Sequence, residues 1–278
     1  MKDKFCFKSV HEGVKIVHYK AFYTFCTYKI TFSFARLIAE CDNLRPIKVD
    51  GVEIDFVGFD SMNDQKTLNA IVGENCTKRC PACNLLPKEH MRFKQCFDEL
   101  NEKFEKSMCL SSLHFGLNLF EHLINKVGGH QDFKSDTANG EFKQQKKWER
   151  TQTIKDMYWE HRGIRISYLL KGQGTTNTGN TVRRVFEDPN FLAAQIGVSI
   201  ELVKGLINVW KLIRSNLVLD AKAFYEYCQS VKARYVLELP WCNMNPSMLK
   251  VIDHGNVIIA RLPPTITLGM LSEGNVYL

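Results

Sequence analysis

The sequence predicts an α+β fold, strand-rich over roughly its first quarter and mostly helical afterwards. Two observations carry this reading. The first is the abundance of β-branched and aromatic residues in GVKIVHY, TYKITFSF and GVEIDFVGF, the last alternating Val52, Ile54 and Phe56 with polar positions. The second is a change to helical spacing after residue 76, where apolar residues recur every three or four positions. The 278 residues, 45% hydrophobic and 24% charged, are enough for a sizeable core and exclude a disordered or collagen-like chain.

Taken in order, the strand-like runs are followed by the break DSMNDQK and a further strand over Thr67 to Val72, which puts Asp60 and Asp64 at a strand connection. A helix is expected through Met91, Phe93, Phe97, Leu100 and Phe104. A second begins at Ser111 or Ser112, places Leu113, Leu117, Phe120 and Ile124 on one stripe, and stops at Gly128 and Gly129. A third runs from Glu141 to His161, and GQGTTNTGNT then reads as a loop. SIELVKGLINVWKLIR is apolar almost all round and predicts a buried helix. Further helices are expected from Asp220 to Tyr235 and from Pro246 to Ile258, with Pro263 and Pro264 ending the last.

No apolar run is long enough for a membrane span, and the opening MKDKFCFKSV lacks the apolar stretch of a secretory signal. An intracellular chain with reduced thiols is expected, so clustered cysteines read as metal ligands. Cys80-Pro-Ala-Cys83 has the spacing of two thiolates gripping one tetrahedral zinc ion, with Cys76, His90, Cys242 and His254 as conceivable partners. Thiols that are merely buried are the alternative reading.

The net charge is +7, and the segment from Glu141 to Phe186 alone has ten Lys and Arg against four Asp and Glu. A polyanion is the partner such a segment suggests, contacted by Lys146, Lys147, Arg150, Lys171, Arg183 and Arg184; a solvated helix face is the plain alternative. Trp148, Tyr158 and Trp159 lie within it. Aromatic rings among cations stack on unpaired bases, although at helical spacing they more often fill a core. The loop at Gly172, Gly174 and Gly179 could offer backbone N–H groups to a phosphate, yet it matches neither the Walker pattern nor the dinucleotide fingerprint.

Several segments resemble, in the same order, the transposases of the Transib type and the related catalytic subunit of the vertebrate V(D)J recombinase. They are RPIKVDG, SMNDQKTLNAIV, the CPAC pair, LHFGLNLFEHLI, KGQGTTNTGNTVRR, ELPWCNMNPSMLKVIDHG and LGMLSEGN, which together span most of the chain. The resemblance implies an RNase H-like catalytic fold holding two aspartates and a glutamate, with a long helical, zinc-containing insertion. Asp64 then corresponds to the second aspartate and Glu273 to the glutamate, as ligands of Mg²⁺ or Mn²⁺ in two-metal chemistry. Cys80, Cys83 and His254 correspond to three of the zinc ligands.

Three departures accompany it. No segment before Asp64 resembles the motif of the first aspartate. Leu249 stands where the first zinc-binding histidine would be, and five residues follow Glu273. The expected organisation is therefore a partial RNase H-like sheet region over 1–75, a helical and zinc-binding insertion over 76–262, and a truncated catalytic-helix segment over 263–278.

The expected function is that of a transposase-derived protein that binds double-stranded DNA in the nucleus, as a homodimer by resemblance, without cutting it on its own. A metal-dependent endonuclease whose first aspartate lies in missing sequence is the alternative. A helical scaffold for protein contacts is the third reading.

Overall fold

The structure, a computed structural model, describes residues 10–11, 14–15, 47–49, 52–54, 79–80, 82–83, 85–92, 112–167, 177–215 and 217–261. The chain divides into two compact units, Met1–Asp60 and Ser61–Leu278.

In the first unit the described residues form two antiparallel hairpins. Strands β1 (Val10–His11) and β2 (Val14–Lys15) pair as Val10 with Lys15 and His11 with Val14. Strands β3 (Ile47–Val49) and β4 (Val52–Ile54) pair with Ile47 opposite Ile54. The two residues between β3 and β4 in sequence, Asp50 and Gly51, are a pair that two-residue hairpins favour. Each sheet has two strands, and neither pairs with the other.

This corrects the predicted fold class. An RNase H-like sheet needs several strands hydrogen-bonded side by side, and among the described residues each strand pairs only with its immediate neighbour while helices predominate. β-branched and aromatic richness reports side chains suited to a pleated surface and says nothing of which strands lie next to each other. The strand expected over Thr67 to Val72 lies outside the described residues.

The described residues of the second unit are mostly helical. A short helix, α1 (Pro87–Arg92), follows the cysteine pair. Helix α2 (Ser112–Glu121) runs without interruption into a π-helical segment, His122–Gly128, capped by Gly129. Then come α3 (Glu141–Arg162), α4 (Gly179–Phe186), α5 (Pro189–Ile196), α6 (Ile200–Arg214), α7 (Ala221–Glu238) and α8 (Pro246–Arg261). Helix α2 touches α4, α6 and α8, while its π-helical continuation touches α3 and α5. Phe115, Leu119, Phe120, Leu123, Ile124 and Val127 on this central element are almost fully buried.

The closest approach is at Gly116, where a Cβ would collide with the indole of Trp210 from α6. The Trp210 Nε1–H donates to the Ser112 carbonyl at 3.1 Å, and the missing side chain at Gly116 leaves room for the indole.

Five helices start on side-chain caps that satisfy otherwise orphan N–H groups. Thr178 caps α4, Asp188 caps α5 with Pro189 in the first turn, Ser199 caps α6, Asp220 caps α7 and Asn245 caps α8. Helix α3 ends at Gly163 in the left-handed region, φ 59°, which closes its last carbonyls.

Candidate functional site

The cysteine pair is shaped by its local sequence. The Cys80 N–H donates to the Leu85 carbonyl at 2.9 Å, turning the chain back over Cys83, and the Leu86 N–H donates to the Glu89 carboxylate at 2.6 Å as Pro87 opens α1. Helix α1 packs on α8, which carries His254. Cys80 and His254 are buried and Cys83 is half-buried.

Helix α8 is held in register by ties to two neighbours. At its start the Asn245 amide donates to the Asn118 carbonyl at 3.2 Å, and the Asn118 amide donates to Ser247 Oγ at 3.2 Å, fixing it to α2. One position before His254, Asp253 accepts from the Lys232 ammonium of α7 at 2.8 and 2.9 Å and from the Gln229 amide at 3.2 Å.

The two cysteine Sγ atoms and a ring nitrogen of His254 consequently lie within 4.8 Å of one another, a group that could hold a metal ion. Burial alone would raise the Cys80 thiol. Hydrogen bonds from Cys83 and from the Ala82 and Cys83 backbone, with the nearby Lys250 charge, more than offset it and hold the thiol below its ordinary value. Stabilisation of the anionic form is what a metal-binding thiolate requires.

Cys242 belongs elsewhere. Its Sγ accepts from the Tyr235 hydroxyl at 3.3 Å, and that hydroxyl lies 2.7 Å from His122 Nε2 in a buried chain of three side chains. Burial pushes the His122 imidazole down to about 3. Leu249 is fully buried and offers no ligand. Cys76 lies outside the described residues, as does the side chain of His90.

Asp64 and Glu273, on which Mg²⁺ or Mn²⁺ was expected, also lie outside the described residues, together with Lys171 and the first two glycines of the glycine-rich loop. The stem of that loop is described: the Ser167 N–H donates to Asn177 Oδ1 at 2.8 Å just before α4 begins.

The expected DNA-contacting cations divide into two sets. Lys146 lies over the Phe142 ring at 5.0 Å, Lys147 lies against Gly129, and Arg150 donates to the Gln195 carbonyl at 2.9 Å. These three are half-buried. Arg183 and Arg184 are exposed. Arg184 donates to the Arg162 and Gly163 carbonyls at 3.3 and 3.4 Å, so it binds the C-terminal end of α3, where cations are favoured by the helix dipole.

Two arginines that the sequence reading did not single out join them. Arg162 is exposed and paired with Asp188, and Arg165 is exposed two residues beyond Gly163. An arginine run on either side of a helix-ending glycine was the available signal. The three aromatic residues of the segment divide: Tyr158 is core, while Trp148 and Trp159 are 57% and 60% exposed.

No protein-family model matches the chain, and no curated protein matches it either.

Proposed function

We propose that the chain is a zinc-stapled helical domain, transposase-derived and nuclear, that binds double-stranded DNA through the arginine edge where α3 meets α4, without cutting it on its own. The observation that carries this reading is the meeting of the Cys80 and Cys83 pair with His254, 171 positions beyond Cys83 along the chain and matched by the resemblance. Two thiolates and an imidazole are a zinc donor set. Bond lengths of about 2.3 Å to sulfur and 2.0–2.1 Å to nitrogen in a tetrahedron put ligand atoms about 3.5–3.8 Å apart, compatible with three atoms that all lie within 4.8 Å of one another.

The arginine edge supplies the DNA contact. Arg162, Arg165, Arg183 and Arg184 are exposed there, against Asp188 paired with Arg162 and Glu187 lying 4.0 Å from Arg183. Guanidinium groups grip phosphates bidentately, and each phosphate neutralised releases counterions.

Fluorescence anisotropy with a labelled duplex, titrated at several salt concentrations, tests the edge. The R165A/R183A variant removes two cations whose side chains do not tie the fold together, and is expected to flatten the log–log salt slope by about 2. An unchanged slope refutes the edge. Zinc analysis of the purified chain tests the staple, with stoichiometric metal in the wild type and its loss in Cys80→Ser as the expected result.

A further inference from the structure

The exposed face of α3 is opposite in character to the segment that contains it. At 100° per residue, the residues turned toward the core include Lys147, Arg150 and the buried Lys155, so three of the six cations on this helix point inward. The outward arc carries Glu149, Asp156 and Glu160, all exposed. None of the ion pairs among the described residues uses any of the three. The Glu149 carboxylate accepts one hydrogen bond, from the Gln145 amide at 2.7 Å.

Beside these carboxylates stand Trp148 and Trp159. Eleven positions apart, they are about 16 Å apart along the axis and within about 20° of the same direction. Large exposed indoles in line on a helix are unusual on a solvated surface, because tryptophan is the residue most enriched where binding energy concentrates.

The combination selects a partner. Carboxylates beside the rings repel phosphates, which disfavours the base-stacking role that tryptophans in a basic segment first suggest. They attract Lys and Arg, whose heads also bind indole faces. Two anchors on one straight helix match a second helix laid along it, with apolar residues over the rings and cations over the acids.

We propose that the outward face of α3, Trp148 and Trp159 set among Glu149, Asp156 and Glu160, is a docking surface for a cationic amphipathic helix of a partner protein. The surface adjoins the arginine edge, since Arg162 follows Trp159 by three positions, and it does not depend on DNA binding.

The test uses the full chain and a fluorescent synthetic leucine–lysine amphipathic helix, with a leucine–glutamate helix of the same pattern and a single-stranded oligonucleotide as comparisons. The lysine helix is expected to bind in a salt-dependent way and the glutamate helix not to bind. W148A/W159A should weaken binding by about tenfold or more, with unchanged circular dichroism because both rings are exposed. E149Q/D156N/E160Q should reduce the salt dependence, and R165A/R183A should leave peptide binding unaltered.

Equal binding of the glutamate helix overturns the proposal, as does wild-type peptide affinity in W148A/W159A. Displacement of the peptide by the oligonucleotide would make the face a nucleic-acid surface instead. Conversion of a dimer to a monomer by W148A/W159A in sedimentation would make a second copy of this chain the occupant.

Discussion

Replacing Asp253 with alanine strands the Lys232 ammonium between α7 and α8. The two side chains are 4% and 10% exposed, and the ammonium lies 2.8 and 2.9 Å from the carboxylate oxygens. At an effective dielectric of about 20 the gross attraction is about 6 kcal/mol, from which desolvation of both ions subtracts a large part. Removing one partner forfeits the attraction and leaves the other ion buried, so Asp253→Ala is expected to cost about 3–5 kcal/mol. Removing both charges with K232M/D253L takes away attraction and desolvation together, and the double variant is expected to be near wild type or more stable. Urea unfolding of the four chains closes the cycle. A cost below about 1 kcal/mol for Asp253→Ala, or a double variant as unstable as the worse single, would refute the reasoning. His254 follows Asp253 directly, so the alanine variant should also bind zinc more weakly, while K232M/D253L should keep much of its affinity.

The His122 imidazole titrates near 6.5 when unfolded and at about 3 in the fold, where burial is the main cause. As pH falls below 6.5 the unfolded state takes up a proton that the folded state refuses. Stability is therefore complete above that value and is lost on the way down to about 3. The loss is about 2 kcal/mol by about pH 5 and should be absent from that portion of the profile in His122→Gln, as urea melts at a series of pH values would show. Gly116→Ala pushes a methyl group into the Trp210 indole and is expected to cost about 1–3 kcal/mol with a shift in tryptophan emission; an unchanged melting temperature would mean the ring has room to move. Chelation of zinc should lower the melting temperature of the wild type and leave Cys80→Ser unaffected, and equal melting of the wild type with and without chelator would argue against a structural metal.

Helices whose ends carry distinctive chemistry were legible in the sequence. Asp220 and Pro246 announced α7 and α8, Gly128 and Gly129 marked the end of the π-helical segment, and the all-round apolar character of α6 foretold its burial. Helices α4 and α5 were missed. The run GTTNTGNT has loop composition, yet Thr178 within it is a cap, and Asp188-Pro189 was a cap followed by a first-turn proline that went unread.

The metal group was half legible. CxxC spacing is local and visible, whereas His254 depends on how α8 docks: the residues alone left it one of four conceivable partners, and the resemblance favoured it among them. The basic segment was misleading because charge counts have no direction. On a helix, the positions of Lys147, Arg150 and Lys155 face inward while Glu149, Asp156 and Glu160 face out. Exposure of Trp148 and Trp159 was likewise invisible, since aromatic spacing alone does not distinguish a core stripe from a docking stripe.

The meeting of Cys83 with His254 has a consequence in time. The two lie 171 positions apart, so at about 5–20 residues per second a ribosome makes the histidine roughly 9–34 s after the cysteine. Throughout that interval the CxxC pair exists without its third ligand and before α8, the helix it will face, has been synthesised. A metal ion meeting the pair in that interval would have two protein ligands, so its hold would stay weak until the histidine arrives. Tight metal binding at this group would therefore wait on the docking of α8 against α1.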